Sequence, residues 1–216
     1  MSLNKQKGNM YPWITHTWNP IGGKCPHQCS YCYMLGFPLG ELKLREHFLK
    51  DILGKDNTIF VGSSCYMFAE AIPDDWIVTV LQRCAKFDNR YLFQSKNPAR
   101  FSNFDFPRKT ILGTTLETNK DYGISQAPDF HSRARAMTYT SIFDYPKMIS
   151  IEPIMDFDLG EFVEWIRAIQ PEFVSIGADS KKHNLMEPSK DKLEALIIAL
   201  RGFTEVKLKS NLKRLR

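Results

Sequence analysis

The stretch TIFVGSSCYMFAEAIPDDWIVTVLQRCAKFDNRYLFQSKNP, residues 58–98, carries the reading of the fold. It opens on a short apolar run, residues 58–62, halted by Ser63-Ser64, as a strand is. Pro73 is well placed as the first residue of a helix reaching about residue 87, since its missing N–H has no partner there anyway. A second run, residues 91–94, stops at Ser95-Lys96-Asn97-Pro98. Strand, helix and strand within some forty residues is a crossover unit, which pairs its two strands in parallel.

Outward from this unit the pattern repeats. Further strand-like runs fall at residues 14–18, 110–116, 148–151, 173–176 and 205–208. Helical spacing is read at 41–53, where Leu42, Arg45, Leu49 and Ile52 recur. It is read again at 159–169, with Asp158 as cap and Pro171 beyond the end, and at 189–200 after Pro188. Residues 119–142 give no single reading, and Pro128 interrupts them. About six strand–helix units imply an α/β fold with a parallel sheet. At 216 residues the chain is short for an eightfold barrel, which takes roughly 250. A six-unit partial barrel, (β/α)6 of TIM type, is the first expectation, and a flat doubly wound sheet the second. No linker or repeat divides the chain, so one domain is expected over 1–216, with a basic C-terminal segment at 203–216.

Hydrophobic residues make up 43% and charged residues 25%, ordinary for a globular protein with a substantial core. No apolar run is long enough to span a bilayer and no signal peptide opens the chain, so a cytoplasmic protein without a membrane partner is expected. Net charge is +5, unevenly spread. Residues 181–216 hold ten basic and four acidic residues, and the last ten, KLKSNLKRLR, hold five basic and no acidic ones. That imbalance points to an anionic partner or substrate, with a nucleotide or nucleic acid the leading candidate. The same alternation of Lys207 and Lys209 with apolar neighbours also fits a guarded edge strand.

Parallel sheets collect chemistry at the carboxyl ends of their strands. Here those ends are polar: Trp18-Asn19-Pro20, Ser63-Ser64-Cys65, Ser95-Lys96-Asn97-Pro98, Leu116-Glu117-Thr118-Asn119, Glu152-Pro153 and Gly177-Ala178-Asp179-Ser180. After the first strand comes GGKCPHQCSYCY, residues 22–33, with Cys25, Cys29 and Cys32 spaced Cys-x3-Cys-x2-Cys. Five cysteines in all, three of them crowded, make a poor disulfide framework. Thiolates are the ligands of iron–sulfur clusters, and three of them on a 4Fe–4S cluster leave one iron open. Gly22 and Gly23 suggest a loop that folds closely around a cofactor. Structural zinc held with His27 or His16 is the alternative, although no second ligand pair of the usual kind accompanies it.

The cysteine loop, with aromatic Tyr31 inside it, resembles the signature of the radical S-adenosylmethionine superfamily. The stretches THTWNPIGGKC, FVGSSCYMF, FQSKNP, ILGTTLETN, SIEPI and VSIGADS, in order over about residues 14–180, further resemble a phage and bacterial three-cysteine-motif family in which Trp-Asn-Pro precedes the cysteines. Tyr66 and Asp179 depart from that family's pattern, which often has an acidic residue and Glu there, and its first two cysteines are often spaced more widely. The resemblance implies an enzyme whose 4Fe–4S cluster, on Cys25, Cys29 and Cys32, cleaves S-adenosylmethionine reductively to a 5′-deoxyadenosyl radical. It implies a flavodoxin- or ferredoxin-type reductant. It places Tyr31 at the adenine and Ser63 and Ser64 at the methionine end of the cofactor. From their places at the strand ends, Lys96 is read as meeting the cofactor carboxylate and Glu117 and Glu152 as holding ribose hydroxyls through charge-assisted hydrogen bonds, with a salt bridge across the barrel mouth as the alternative. Asp179 is a weaker member of this set.

Cys65, at the end of the second strand, is read either as a thiol returning hydrogen to a substrate radical or as a small buried hydrophobe. Cys84 is read as core, His47, His131 and His183 as surface residues, and Trp76 and Trp165 as facing the sheet. Two rival functions are a nucleic-acid-binding protein with structural zinc and an electron-transfer protein that carries a cluster but does no cofactor chemistry.

Overall fold

The computed structural model describes residues 3–139 and 144–216. Two short strands open it, β1 (Asn4–Lys5) and β2 (His16–Trp18), followed by a two-stranded ribbon of β3 (Ile21–Gly22) and β4 (Lys43–Leu44). Then β5 (Thr58–Val61), β6 (Arg90–Gln94), β7 (Thr110–Thr115), β8 (Lys147–Ile151), β9 (Phe173–Ile176) and β10 (Glu205–Leu208) alternate with helices. The helices are α1 (Asp74–Ala85), α2 (Phe130–Tyr139), α3 (Leu159–Ile169) and α4 (Lys190–Arg201). One sheet runs β1-β2-β5-β6-β7-β8-β9-β10, parallel throughout except for the antiparallel β1 edge. The order never doubles back, so the switch point of a doubly wound sheet is missing among the described residues. All seven sequence-read strands are present. No described helix is long and apolar enough to cross a membrane.

Two expectations about helices need correction. Residues 41–53 form β4 and a 3-10 turn over Glu46–Lys50 in place of a helix. Their apolar spacing serves the ribbon: Leu44 pairs with Ile21, the Arg45 amide donates to the Pro20 carbonyl at 2.7 Å, and Ile52 is left 79% exposed. The β6–β7 connection is likewise a 3-10 turn, Pro98–Asn103. Only the connections after β5, β7, β8 and β9 therefore carry α-helices among the described residues. The other helices follow the reading closely, with Pro73 and Ser189 as the caps of α1 and α4 and the Ser189 hydroxyl accepting from the Lys192 amide at 3.3 Å. Asp158 occupies the cap position of α3 but its side chain caps nothing.

Because side chains alternate across a strand, each face of the sheet has its own character. Ile59, Val61, Tyr91, Phe93, Leu112, Ile149, Ile151, Val174 and Ile176 join the larger core, which also takes the inner residues of the helices and Cys84. Trp76 and Trp165 pack against it half-buried. The opposite face carries Phe60, Leu92, Ile111, Met148 and Phe173, covered by Tyr11 from the segment between β1 and β2, with Trp13 packed alongside. Following the same parity toward the carboxyl ends, this inner face changes. An apolar floor gives way to Gln94, Thr115 and Ser150, and then to Lys96, Glu117 and Glu152. Gly113 makes room for this packing, since a Cβ there would lie 2.8 Å from the Met148 sulfur.

The two glycines before the cysteines also have a structural reason different from the one expected. A Cβ on Gly22 would overlap the Arg45 guanidinium at 2.4 Å. One on Gly23, whose φ is +115°, would lie 2.3 Å from the Glu41 carbonyl oxygen. They admit the ribbon's own close approach. Gly23→Ala should therefore destabilise the protein by at least about 1–2 kcal/mol, the cost of a left-handed backbone for an L-residue. Urea unfolding of the two proteins side by side measures it, and an unchanged midpoint would contradict the packing described.

Candidate active site

A cavity of about 710 Å³ opens at the carboxyl ends of the parallel strands, lined by Cys25, Cys29, Cys32 and Cys65 together with the ends of β5, β6, β8 and β9. The cysteine loop is held over it by two strand-like contacts. The Ser30 amide donates to the Ile124 carbonyl at 2.9 Å and the Gln126 amide to the His27 carbonyl at 2.8 Å. All five cysteines are free thiols. The neighbouring Cys65 thiol, the largest influence on it, brings Cys25 down to about 6. Cys32 is pushed up, first by burial and then by the charge of its neighbours Cys29 and Cys25. Deprotonated together in one loop, the three would repel one another, and a cationic iron core would relieve that repulsion. The donor set, its shared cavity and its lowered first thiol fit a 4Fe–4S cluster.

A single zinc ion fits less well. Tetrahedral zinc would draw thiolates to within roughly 3.8 Å of each other, given Zn–S bonds near 2.3 Å. Among the described residues no group of three or more His, Cys, Asp or Glu side chains is placed to hold one ion. His16 points its Nδ1 at the Thr15 hydroxyl, 2.9 Å away. His27 is buried against Tyr66, ring centroids 5.6 Å apart, with its Nε2 unpartnered.

Behind the cysteines lies a dry ionic group. Lys96, 1% exposed, donates to Cys29 Sγ at 3.2 Å, to the Tyr31 hydroxyl and to Glu117 Oε1. An ammonium has three donors, so Lys96 is fully used. The Tyr31 hydroxyl donates to the same Glu117 oxygen. Glu117 Oε2 takes a bond of 2.7 Å from Arg133 on α2. Burial by itself would raise the Glu117 carboxyl, but Arg133 and then Lys96 hold it well below the ordinary carboxylate range. Glu117 thus has both oxygens engaged by protein and does not line the cavity, whereas Tyr31 and Lys96 do. Arg133 went unnoticed in the sequence because a buried arginine on a helix looks like any other helical arginine until its partner is known.

Ser63, Ser64 and Glu152 also line the cavity. Asn19 of the Trp-Asn-Pro turn fixes the first two, accepting from the Ser64 amide at 2.9 Å and the Ser63 hydroxyl at 3.2 Å. Glu152 meets residues from both ends of the sequence. Asn9 Nδ2 donates to its Oε1 at 3.0 Å and Lys209 Nζ to its Oε2 at 2.7 Å. Asp179 accepts from the Lys181 amide at 3.1 Å and pairs with His183 Nδ1 at 2.7 Å. His183 therefore sits on the cavity wall, partly buried, rather than on the open surface expected of it. His131 is exposed beside Glu161 and His47 is exposed.

The basic C-terminal segment is less available than its composition implies. Lys209 is buried on Glu152, Lys207 pairs with Glu205 at 2.7 Å, Arg214 with Glu187, and Arg216 with Glu194 at 2.6 Å. Four of the last ten residues' five basic groups are thus engaged within the protein, although of their partners only Glu152 lies outside the basic segment 181–216.

The chain shares its fold with two solved structures, those of spore photoproduct lyase and SuiB. Spore photoproduct lyase, in a variant complexed with dinucleoside spore photoproduct, superposes with a TM-score of 0.67 at 10% identity, over 94% of this chain and 78% of that one. A further variant of it, with bound AdoMet and the same dinucleoside, gives 0.66, 10%, 94% and 78%. SuiB of Streptococcus suis bound to S-adenosylmethionine gives 0.56 at 8% identity, over 89% of this chain and 49% of that one. No protein-family description and no curated protein matches the sequence.

The buried carboxylate sets a pH dependence. Its folded pKa is depressed, so the unfolded chain binds the extra proton first and stability rises with pH. This contribution is complete at neutral pH and is lost as the pH falls below the ordinary value near 4.5. Glu117→Gln, which strands two buried cations, should cost about 3–5 kcal/mol at neutral pH and flatten the loss on acidification. Urea unfolding at a series of pH values reads both, and an unchanged profile in the variant would refute the assignment.

Proposed function

We propose that this chain is a radical S-adenosylmethionine enzyme and that its sheet is the wall of a partial (β/α)6 barrel within a single domain. The observation that carries the reading is the convergence of Cys25, Cys29 and Cys32 on one cavity at the carboxyl ends of a sequentially ordered parallel sheet. The likeness to structures that hold S-adenosylmethionine supports it, and so does the polar inner face above an apolar floor. The sequence resemblance to the phage and bacterial three-cysteine-motif family belongs to the same proposal.

Bound through the three cysteines, a 4Fe–4S cluster supplies reductive cleavage of S-adenosylmethionine, with the electron from a flavodoxin- or ferredoxin-type protein. This chain's residues bind and orient. Ser63 and Ser64, set by Asn19, and Glu152, set by Asn9 and Lys209, offer polar groups to the cofactor from opposite sides of the cavity. Tyr31 presents its backbone while its hydroxyl is anchored below. Lys96 leans on Cys29 and keeps a positive charge beside the loop. Glu117 is a positioning residue that holds Lys96 and Tyr31. Cys65 keeps a place as the thiol that returns hydrogen to substrate. A nucleotide or nucleic-acid substrate is favoured, supported by the dinucleoside that spore photoproduct lyase holds on the same fold.

Anaerobic reconstitution should give close to four irons per chain, and Cys25→Ala, Cys29→Ala and Cys32→Ala should each abolish the cluster, as iron content and visible absorption report. Retention of a full cluster by any one of them removes that cysteine from the ligand set. Reduced wild type should form 5′-deoxyadenosine, separated by chromatography. Glu152→Ala should weaken S-adenosylmethionine binding about ten- to a hundredfold, the loss of one charge-assisted hydrogen bond, measured by equilibrium dialysis. Cys65→Ala should keep 5′-deoxyadenosine formation and change only the fate of substrate.

A further inference from the structure

The mouth of the cavity differs in character from its interior. Tyr33, Leu35 and Phe37 are 47%, 63% and 56% exposed, a run of large apolar side chains just after the last cysteine. Single exposed apolar residues are unremarkable, but a contiguous patch marks a contact surface. Three exposed lysines stand around the same mouth. Lys7 and Lys24 line the cavity. Lys181 lines it too; its ammonium donates to the Tyr33 carbonyl at 3.0 Å and lies 6.0 Å from the centre of the Phe37 ring.

The two acids that line the cavity are engaged within the protein. Glu152 is held by Lys209 and Asn9, and Asp179 by His183 and two backbone amides. The mouth thus offers accessible cations and aromatic faces, while the carboxylates of the cavity wall, Glu152 and Asp179, already have partners within the protein. The C-terminal segment, the obvious alternative from the sequence, has four of the five basic groups in its last ten residues paired with glutamates.

We propose that this rim is the docking surface for single-stranded or locally unstacked nucleic acid, with bases stacking on Tyr33 and Phe37 and phosphates lying on Lys7, Lys24 and Lys181. Aromatic platforms beside a cationic track are how sequence-tolerant strands are bound, and a base must leave its helix to reach a recessed site. An acidic peptide would satisfy the lysines but leave the rings without a planar partner. The inference rests on the reading of the preceding section and names the substrate class and the surface that takes it.

The test uses the anaerobically reconstituted holoenzyme, S-adenosylmethionine and a fluorescent fifteen-nucleotide oligo-dT, read by anisotropy over a range of salt. Wild type should bind at low salt and weaken steeply as salt rises. Replacing Lys7, Lys24 and Lys181 together by Ala should flatten the slope of log affinity against log salt by about two, since each phosphate contact on a single strand contributes about 0.7. Tyr33→Ala and Phe37→Ala should each lower affinity roughly five- to a hundredfold and leave the slope alone. Lys213→Ala with Arg216→Ala should change neither. Wild type that binds no oligonucleotide, rim variants that bind as wild type, or loss of binding in the Lys213/Arg216 variant would each overturn the proposal, as would tighter binding of an acidic peptide of equal charge. Iron content and 5′-deoxyadenosine formation by the same wild-type preparation keep the two readings apart. A cluster that cleaves its cofactor in a protein blind to the oligonucleotide sinks only the docking surface.

Discussion

Everything near the cysteines depends on one dry ion group, Lys96 and Arg133 closing on the two oxygens of Glu117. Taking three charges out of water is expensive, and their attraction offsets the expense only when each remaining donor and acceptor is also satisfied. Here they are: the third Lys96 proton goes to a cysteine sulfur and the tyrosine inside the loop bonds the shared oxygen. A rigid sheet thereby grips a loop that has little regular structure of its own. The cysteine spacing alone could not fix where the thiols point. The ionic group joins β6, β7 and α2 to the loop at a defined depth.

That grip is possible because one face of the sheet changes polarity along its strands. The floor of Phe60, Leu92, Ile111, Met148 and Phe173 excludes water under Tyr11. The Tyr11 hydroxyl then begins the polar layer, bonded to Ser150 at 2.8 Å and Gln94 at 3.0 Å. Gln94 passes the chain of bonds to Thr115 at 2.9 Å, and Tyr66 meets Thr115 at 3.1 Å. Such fully connected networks specify a single arrangement more strongly than their separate bonds suggest.

What the sequence made legible follows from what is local. Short β-branched runs, proline-led helices and polar strand ends are properties of neighbouring residues, so β5 to β10 and the cavity-facing Ser63, Ser64, Lys96 and Glu152 could be read directly. Residues 41–53 misled because four apolar or long side chains at helical spacing can equally pack a β-ribbon. Gly22 and Gly23 advertised a close approach without saying of what. Arg133, Asn9, Lys209 and the Asp179–His183 pair were illegible for one reason: each acquires meaning from a residue brought near only by the complete topology. The tail misled in the opposite sense: its charges are visible in the sequence, but which of them the fold pairs with Glu152, Glu187, Glu194 and Glu205 is not.

The meeting of Asn9 and Lys209 over Glu152 joins residues 200 positions apart. Enclosure of the cavity is therefore a long-range event. The far wall closes only when β10 pairs with β9 and brings Lys209 onto Glu152. Loosening that one edge strand would open the wall while leaving the cysteine loop, which is gripped from β6, β7 and α2, in place.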